Sequence, residues 1–227
     1  MKNYFSATLI FCLVIVVISC SQQEDNKSQT QPASRPSVPV QAAEVQIGNQ
    51  IWMTKNLNVS RYKNGDIIPQ VQDPSQWTNL TSGAWCYYQN NTANGIVYGK
   101  LYNWYAVNDP RGLAPTGYHV PSDAEWTTLT TFLGGEALAG NKMKATTGWA
   151  TYPGITNTNS SGFTGLPGGF RYDGGTFFSI GYDGTWWSSS EYSTTNAWGR
   201  GLNYYYSSAG RGYTNKIYGF SVRCLRD

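Results

Sequence analysis

Hydrophobic and polar positions divide the chain into three regimes. Phe5 to Ile18 is an almost unbroken apolar run behind Lys2, too short for a comfortable membrane span and built like an export signal. Ser21 to Glu44 contains no aromatic residue and no glycine, and Pro32, Pro36 and Pro39 punctuate its Ser- and Gln-rich course. Such a stretch buries nothing and predicts an extended tether. From Val45 onward, short apolar runs are broken every few residues by glycine, which predicts one domain of short strands and loops.

Within that domain, Val45-Gln46-Ile47 and Gln50-Ile51-Trp52-Met53 flank Gly48-Asn49, a hairpin pattern. Trp85 to Tyr88 is a short strand-prone run, and Leu101 to Val107 fits strand and helix equally. The clearest helix is predicted over 123–133. Ser122 and Glu125 have capping-box spacing, Trp126, Leu129 and Leu133 share one face, and Gly134-Gly135 ends it. A second helical piece is expected over 136–145, weakened by Gly140. Beyond residue 150, strands are expected around 170–173, 177–180 and 185–190. Two alternating stretches follow, Ala197 to Tyr206 and Tyr218 to Leu225, the latter ending the domain on a paired strand.

Composition narrows the function classes. Only 13% of residues are charged and the net charge is +3, with no basic run to track a phosphate backbone, so a nucleic-acid partner is not expected. Aromatics reach 15%, and at least half of the rings clustered late in the chain must belong to the core, since a patch that apolar would aggregate if exposed. His119, the single histidine, rules out two-histidine metal sites. Its apolar setting before the helix points to a structural imidazole. The chain has no G-x-S-x-G elbow and no phosphate-binding G-K-[ST] loop, and paired catalytic carboxylates cannot be assigned. Neither a catalytic residue nor a metal or cofactor is called for, and the expectation is a non-enzymatic protein.

The aromatic supply instead suits a binding face for a glycan or a protein. Its candidate contacts are Trp186, Trp187, Glu191, Trp198, Arg200, Tyr204, Tyr206 and Arg211. Cys86 and Cys224 are the two cysteines left once the N-terminal region is set aside. In an oxidising compartment they are expected to be joined, the alternative being two buried free thiols on neighbouring strands.

Two resemblances add to this reading. Val17-Ile18-Ser19-Cys20 resembles the lipobox of bacterial lipoproteins. It implies a signal peptide over 1–19, fatty acyl (palmitate) chains on Cys20, a tether over 20–44, and a lipid bilayer as partner. The following Ser21 resembles the outer-membrane sorting case, so an outer-membrane or cell-surface location is expected. The second resemblance is carried by Ile47 to Met53, Tyr98 to Val107, Gly117 to Trp126, Gly165 to Arg171, Trp186 to Glu191 and Gly219 to Asp227. Together these runs resemble the Fibrobacter succinogenes major paralogous domain, over 45–227. That family occurs in exported bacterial proteins, often lipoproteins, and the resemblance brings no activity with it.

More distantly, Pro121, Ser122, Glu125 and Trp126, with Gly219, Phe220, Val222 and Arg223, resemble motifs of the formylglycine-generating enzyme superfamily. This implies an α+β, C-type-lectin-like fold: a twisted antiparallel sheet with flanking helices and long irregular loops. The copper-binding cysteine arrangement of those enzymes is absent. So are the E-P-N, Q-P-D and W-N-D motifs of calcium-dependent lectins. The resemblance therefore implies a scaffold, with a degenerate enzyme bearing an aromatic cleft as the alternative to a binding module.

Overall fold

The computed structural model describes residues 43–227. The apolar run, Cys20 and the tether up to residue 42 lie outside the described residues. Strand β1 (Glu44–Ile47) pairs antiparallel with β2 (Gln50–Met53), and Ile47 stands opposite Gln50. Gly48 has φ +63° while Asn49 does not enter the left-handed region, the II′ pattern that matches strand twist. The short helix α1 (Pro74–Thr78) is capped by Asp73. After it come β3 (Trp85–Cys86), helix α2 (Thr92–Tyr98) and β4 (Leu101–Tyr102), with β3 and β4 paired antiparallel.

The ambiguous run 101–107 is both things in turn. β4 ends at Tyr102, and Asn103 caps the helix α3 (Trp104–Val107) that follows. Asn103 is wholly buried, and its side chain makes the switch possible. Oδ1 accepts from the Ala84 and Ala106 amides, and Nδ2 donates to the Ser82 carbonyl.

β5 (Tyr118–His119) leads into α4 (Asp123–Phe132), and its capping box is complete. The Ser122 hydroxyl accepts from the Glu125 amide at 3.3 Å, while Glu125 Oε2 accepts from the Ser122 amide at 2.8 Å. Trp126, Leu129 and Leu133 are buried along one face, as the spacing predicts. Helix α5 (Glu136–Met143) follows directly. Gly140 is no weak point there, because a Cβ would stand 2.2 Å from the Ser208 carbonyl oxygen. A glycine at this position lets another loop approach the helix backbone.

The last third of the domain supplies β6 (Gly168–Arg171), β7 (Phe177–Ile180), β8 (Asp183–Glu191), β9 (Asn196–Asn203), β10 (Ala209–Asn215) and β11 (Leu225–Arg226). One sheet has the order β1-β2-β11-β5, a second β10-β9-β8-β6-β7, and β3-β4 form a third. Among the named strands all pairings are antiparallel except β6 with β8, which run parallel at Gly169 and Gly184, and the isolated bridges Gln70–Trp85, Lys144–Gly165 and Trp186–Ser221 are parallel as well. The domain is therefore mixed α+β and mostly sheet. The single antiparallel sheet expected from sequence is replaced by three.

The expected terminal strand is also broken into separate bridges. Gly219 bridges Arg171, Phe220 bridges Tyr102, Ser221 bridges Trp186, and Leu225 pairs with both Trp52 and His119. Between these, the Val222 and Cys224 carbonyls accept from the Leu57 and Met53 amides. One buried segment thus touches all three sheets, which a continuous strand in one sheet could not do.

Side chains pack around that segment in three clusters. Trp52, Trp126, Phe163 and Trp186 form one, with ring centroids between 4.8 and 6.5 Å apart. Trp187 and Phe220 meet at 4.5 Å in a second, which contains Cys224. Cys86 belongs to the third, with Trp77, Tyr88 and Leu101. The expected Cys86–Cys224 bridge is corrected by this arrangement: both thiols are free and buried, in different clusters. Burial pushes each thiol pKa up to about 12, which favours the neutral thiol at neutral pH.

Four cations are buried without an ion pair among the described residues: Lys100, Lys144, Arg171 and Arg223. Each donates to oxygen atoms of loops and lies over an aromatic ring. Arg171 bonds the Val71, Gln72 and Gly175 carbonyls, 4.4 Å from the Trp77 ring centroid. Arg223 bonds the Met53 and Phe163 carbonyls and Asn56 Oδ1, 4.5 Å from the Phe163 ring. Lys100 lies over Trp85 and Lys144 over Trp149. Long loops become fixed structure through these four side chains.

Replacing Trp126 with Ala is expected to cost about 3–5 kcal/mol through the cavity it leaves. Ser122→Ala is expected to cost only about 1 kcal/mol through the lost cap. Urea unfolding of both variants checks the order, and equal losses would contradict the packing described for α4.

Candidate functional site

The expected binding face does not exist as one surface. Trp186 and Trp187 are fully buried, and their indole N–H groups donate to Asn56 Oδ1 and the Tyr102 carbonyl, each at 2.8 Å. They are core residues and are corrected as ligand contacts. Their stretch of β8 is covered on both sides, by α4 and Phe163 on one and by Phe220 on the other. Arg200 is buried too, and its guanidinium is committed to Asp123 Oδ1 at 2.6 Å and to the Thr127 hydroxyl. Glu191 accepts from Lys216 Nζ at 2.6 Å. The remaining four candidates, Trp198, Arg211, Tyr204 and Tyr206, are drawn into two separate surface clusters.

Trp198, Tyr213 and Arg211 form the first cluster with Tyr192. Trp198 pairs with Tyr213, and Arg200 with Arg211, in the β9–β10 register, so the four side chains share one face. The Arg211 guanidinium stacks 3.5 Å from the Trp198 ring centroid while donating to both Asp123 carboxylate oxygens. Burial alone would raise the Asp123 pKa, but Arg211 and Arg200 together hold it below its ordinary value. Tyr192, from the β8–β9 turn, stacks on Tyr213 with centroids 3.8 Å apart and planes 8° from parallel. The two tyrosines are 46% and 53% exposed.

Tyr204 and Tyr206 belong to the second cluster, made of tyrosines alone. Tyr182 meets Tyr204 edge-on at 5.1 Å, Tyr204 meets Tyr152 at 5.9 Å and Tyr205 at 5.0 Å, and Tyr205 meets Tyr206 at 4.1 Å. Three separate loops contribute them. The Tyr204 amide donates to the Tyr182 carbonyl, and the Ala150 amide to the Gly181 carbonyl, which ties the loops together. From inside, Lys144 Nζ donates to the Asn203 and Tyr206 carbonyls. Asp183 accepts from Asn203, so the carboxylate beside the patch is engaged. Tyr152, Tyr182 and Tyr206 are 48%, 50% and 54% exposed, a contiguous aromatic surface with hydroxyl groups and little free charge. Sequence reasoning missed Tyr152 and Tyr182. The signal available was their place beside turn glycines, in Tyr152-Pro153-Gly154 and Gly181-Tyr182-Asp183-Gly184.

Two concave features are also present, and the first adjoins the Trp198 cluster through Arg211 and Tyr213. Gly201 pairs with Gly210 and Gly199 with Gly212, forming a bare floor under a groove of about 300 Å³ edged by Thr185, Thr214 and Phe220. A Cβ on Gly201 or Gly212 would meet nothing within 4 Å. The second is an open pocket of about 430 Å³ containing His119, Glu125 and Asp227. His119 Nδ1 lies 2.8 Å from Asp227 and Nε2 3.0 Å from Glu125. Desolvation works to lower the imidazole pKa, but the two carboxylates outweigh it and hold it above its ordinary value. Among the described residues no group of three His, Cys, Asp or Glu side chains is arranged to hold a metal ion.

Compared with known protein families, residues 45–226 match the Fibrobacter succinogenes major domain, and the chain belongs to that family. No curated protein and no solved structure matches it significantly.

The His119 geometry sets a pH dependence. A group whose folded pKa lies above its unfolded value of 6.5 stabilises fully below that value, and the contribution disappears as pH rises through the folded pKa. Urea midpoints measured across this range should fall with rising pH in the wild type. His119→Asn should flatten that segment of the curve.

Proposed function

We propose that this member of the Fibrobacter succinogenes major domain family is a non-catalytic binding module, held at a membrane by acyl chains on Cys20. Its contact face is the tyrosine patch. The observation that carries the reading is the patch itself: five rings from three loops, joined edge to face apart from the tilted Tyr205–Tyr206 pair, with three of them about half exposed. Packing alone does not call for so much open aromatic surface, and tyrosines of this kind favour contact with other molecules. Because Asp183 and Lys144 are both engaged, the patch suits a neutral ligand, a glycan or an uncharged protein surface. The lipobox resemblance and the tether support an outer-membrane or cell-surface location for the domain in this reading. The same reading takes the scaffold as C-type-lectin-like, supported by the capped start of α4 and the buried terminal segment.

Catalysis at the His119 pocket is the weaker reading. Both ring nitrogens already face carboxylates, so neither is free to take a proton from a substrate.

A blind array of neutral glycans and exported proteins, probed with residues 43–227, tests the contact face. Binding should disappear in a Tyr152→Ala/Tyr206→Ala variant whose stability changes by no more than about 1 kcal/mol. Loss of binding in Gly201→Val instead would move the contact face to the glycine groove. Attachment is tested separately. Cys20→Ala should release the protein from the membrane fraction or leave it unprocessed. An unmodified mature terminus at another residue, found by mass spectrometry, would overturn the anchoring.

A further inference from the structure

Tyr192 and Tyr213 are the most nearly parallel of the contacting tyrosine pairs, 3.8 Å between centroids and 8° between planes, and both are open to solvent. Neither ring is free to drift. Tyr213 is fixed on β10 opposite Trp198, and the Tyr192 amide donates to the Asn196 carbonyl, which closes the β8–β9 turn. Trp198 stands edge-on to both rings, at 4.9 and 5.7 Å, and Arg211 clamps Trp198 from its face. The Tyr192 and Tyr213 hydroxyl groups also interact with each other, so the parallel rings point the same way and the carbons ortho to each oxygen lie over one another. Exposure admits an oxidant. The fold has no evident need for a stacked phenol pair on its rim.

We infer that Tyr192 and Tyr213 are a site of intrachain dityrosine formation, completed by a one-electron oxidant of the peroxidase class. Each phenol gives up one electron and its hydroxyl proton, leaving two tyrosyl radicals. These join through a new bond between ring carbons ortho to oxygen. The hydrogen on each joined carbon leaves as a proton and each oxygen is reprotonated, which restores both phenols. The chain loses two electrons and two protons in total. One molecule of hydrogen peroxide takes them up through the peroxidase and leaves as two waters. The product fastens the β8–β9 turn to the edge strand β10.

Tyr205 and Tyr206 provide an internal comparison. Their centroids are also close, at 4.1 Å, but the rings are tilted by 52° and adjoin in sequence, so they lack the parallel overlap. The full chain is treated with a haem peroxidase and hydrogen peroxide, digested, and mapped by mass spectrometry with dityrosine fluorescence as the readout. The expected product is a monomeric chain in which the Tyr192 and Tyr213 peptides are linked and two hydrogens lighter than their sum. Tyr213→Phe and Tyr192→Phe should each remove it, while Tyr206→Phe should leave it. Three outcomes would overturn the assignment: cross-links only between chains, equal yield at Tyr205 and Tyr206, or oxidation without coupling. This result is independent of the tyrosine patch, because Tyr152→Ala/Tyr206→Ala leaves the stacked pair intact.

Discussion

The Arg223 guanidinium lies wholly inside the protein, and three stretches of chain meet on it. It takes the Met53 carbonyl from the end of β2 and Asn56 Oδ1 just beyond it, the Phe163 carbonyl from the long loop before β6, and belongs itself to the terminal segment. Burial pulls its pKa down to about 9, still high enough to stay charged at neutral pH. Desolvating a cation is expensive, and only several well-placed acceptors and a ring face offset it. Asn56 is shared: the oxygen that receives Arg223 also receives the Trp186 indole, while its amide donates to the Tyr98 carbonyl and the Ser221 hydroxyl. Removing the cation would leave buried carbonyls unpaired at the centre of all three segments.

Lys100, Lys144 and Arg171 repeat the device farther out, and together the four explain the character of the surface. A chain with few charges places several of its cations inside, as clamps on loops. Lys144 links this interior to the candidate site, because the carbonyls it holds carry the Tyr204 to Tyr206 turn. The tyrosine patch is therefore mounted on irregular backbone that is nevertheless fixed, the arrangement in which exposed rings keep a defined shape. Burial lowers the Lys144 pKa to about 8, so this clamp loses its charge as pH rises above that value.

Local signals were legible where one short stretch settled the outcome. Ser122 and Glu125 needed only each other, and Trp126, Leu129 and Leu133 only the helix period, so α4 reads directly from sequence. The β1–β2 hairpin reads for the same reason. Long-range choices did not show. Trp186 and Trp187 both looked available to a ligand because they open an aromatic, charge-poor stretch. Nothing local reveals that β8 is covered on both sides there. Cys86 and Cys224 looked like a pair by elimination, yet each is accommodated as a small apolar side chain in its own cluster. The clamping cations were invisible for a related reason: a lysine or arginine has no pattern that distinguishes a solvated head from one buried among carbonyls a hundred residues away. The patch was half legible, since Tyr204 and Tyr206 lie in an evident aromatic stretch, whereas Tyr152 and Tyr182 join it only through loop packing.

Residues 219–225 touch all three sheets, and they are the last of the domain's buried residues in order of synthesis. Until they leave a ribosome tunnel or a membrane channel, β2 and β5 have no strand between them, and β4, β6 and β8 lack their common partner. The Arg223 acceptors wait unfilled for the same interval. The core is therefore incomplete until this segment is in place. Its closure depends on contacts far apart in sequence, which makes it slow compared with helix formation. The topology thus ties completion of the fold to the arrival of its last buried stretch.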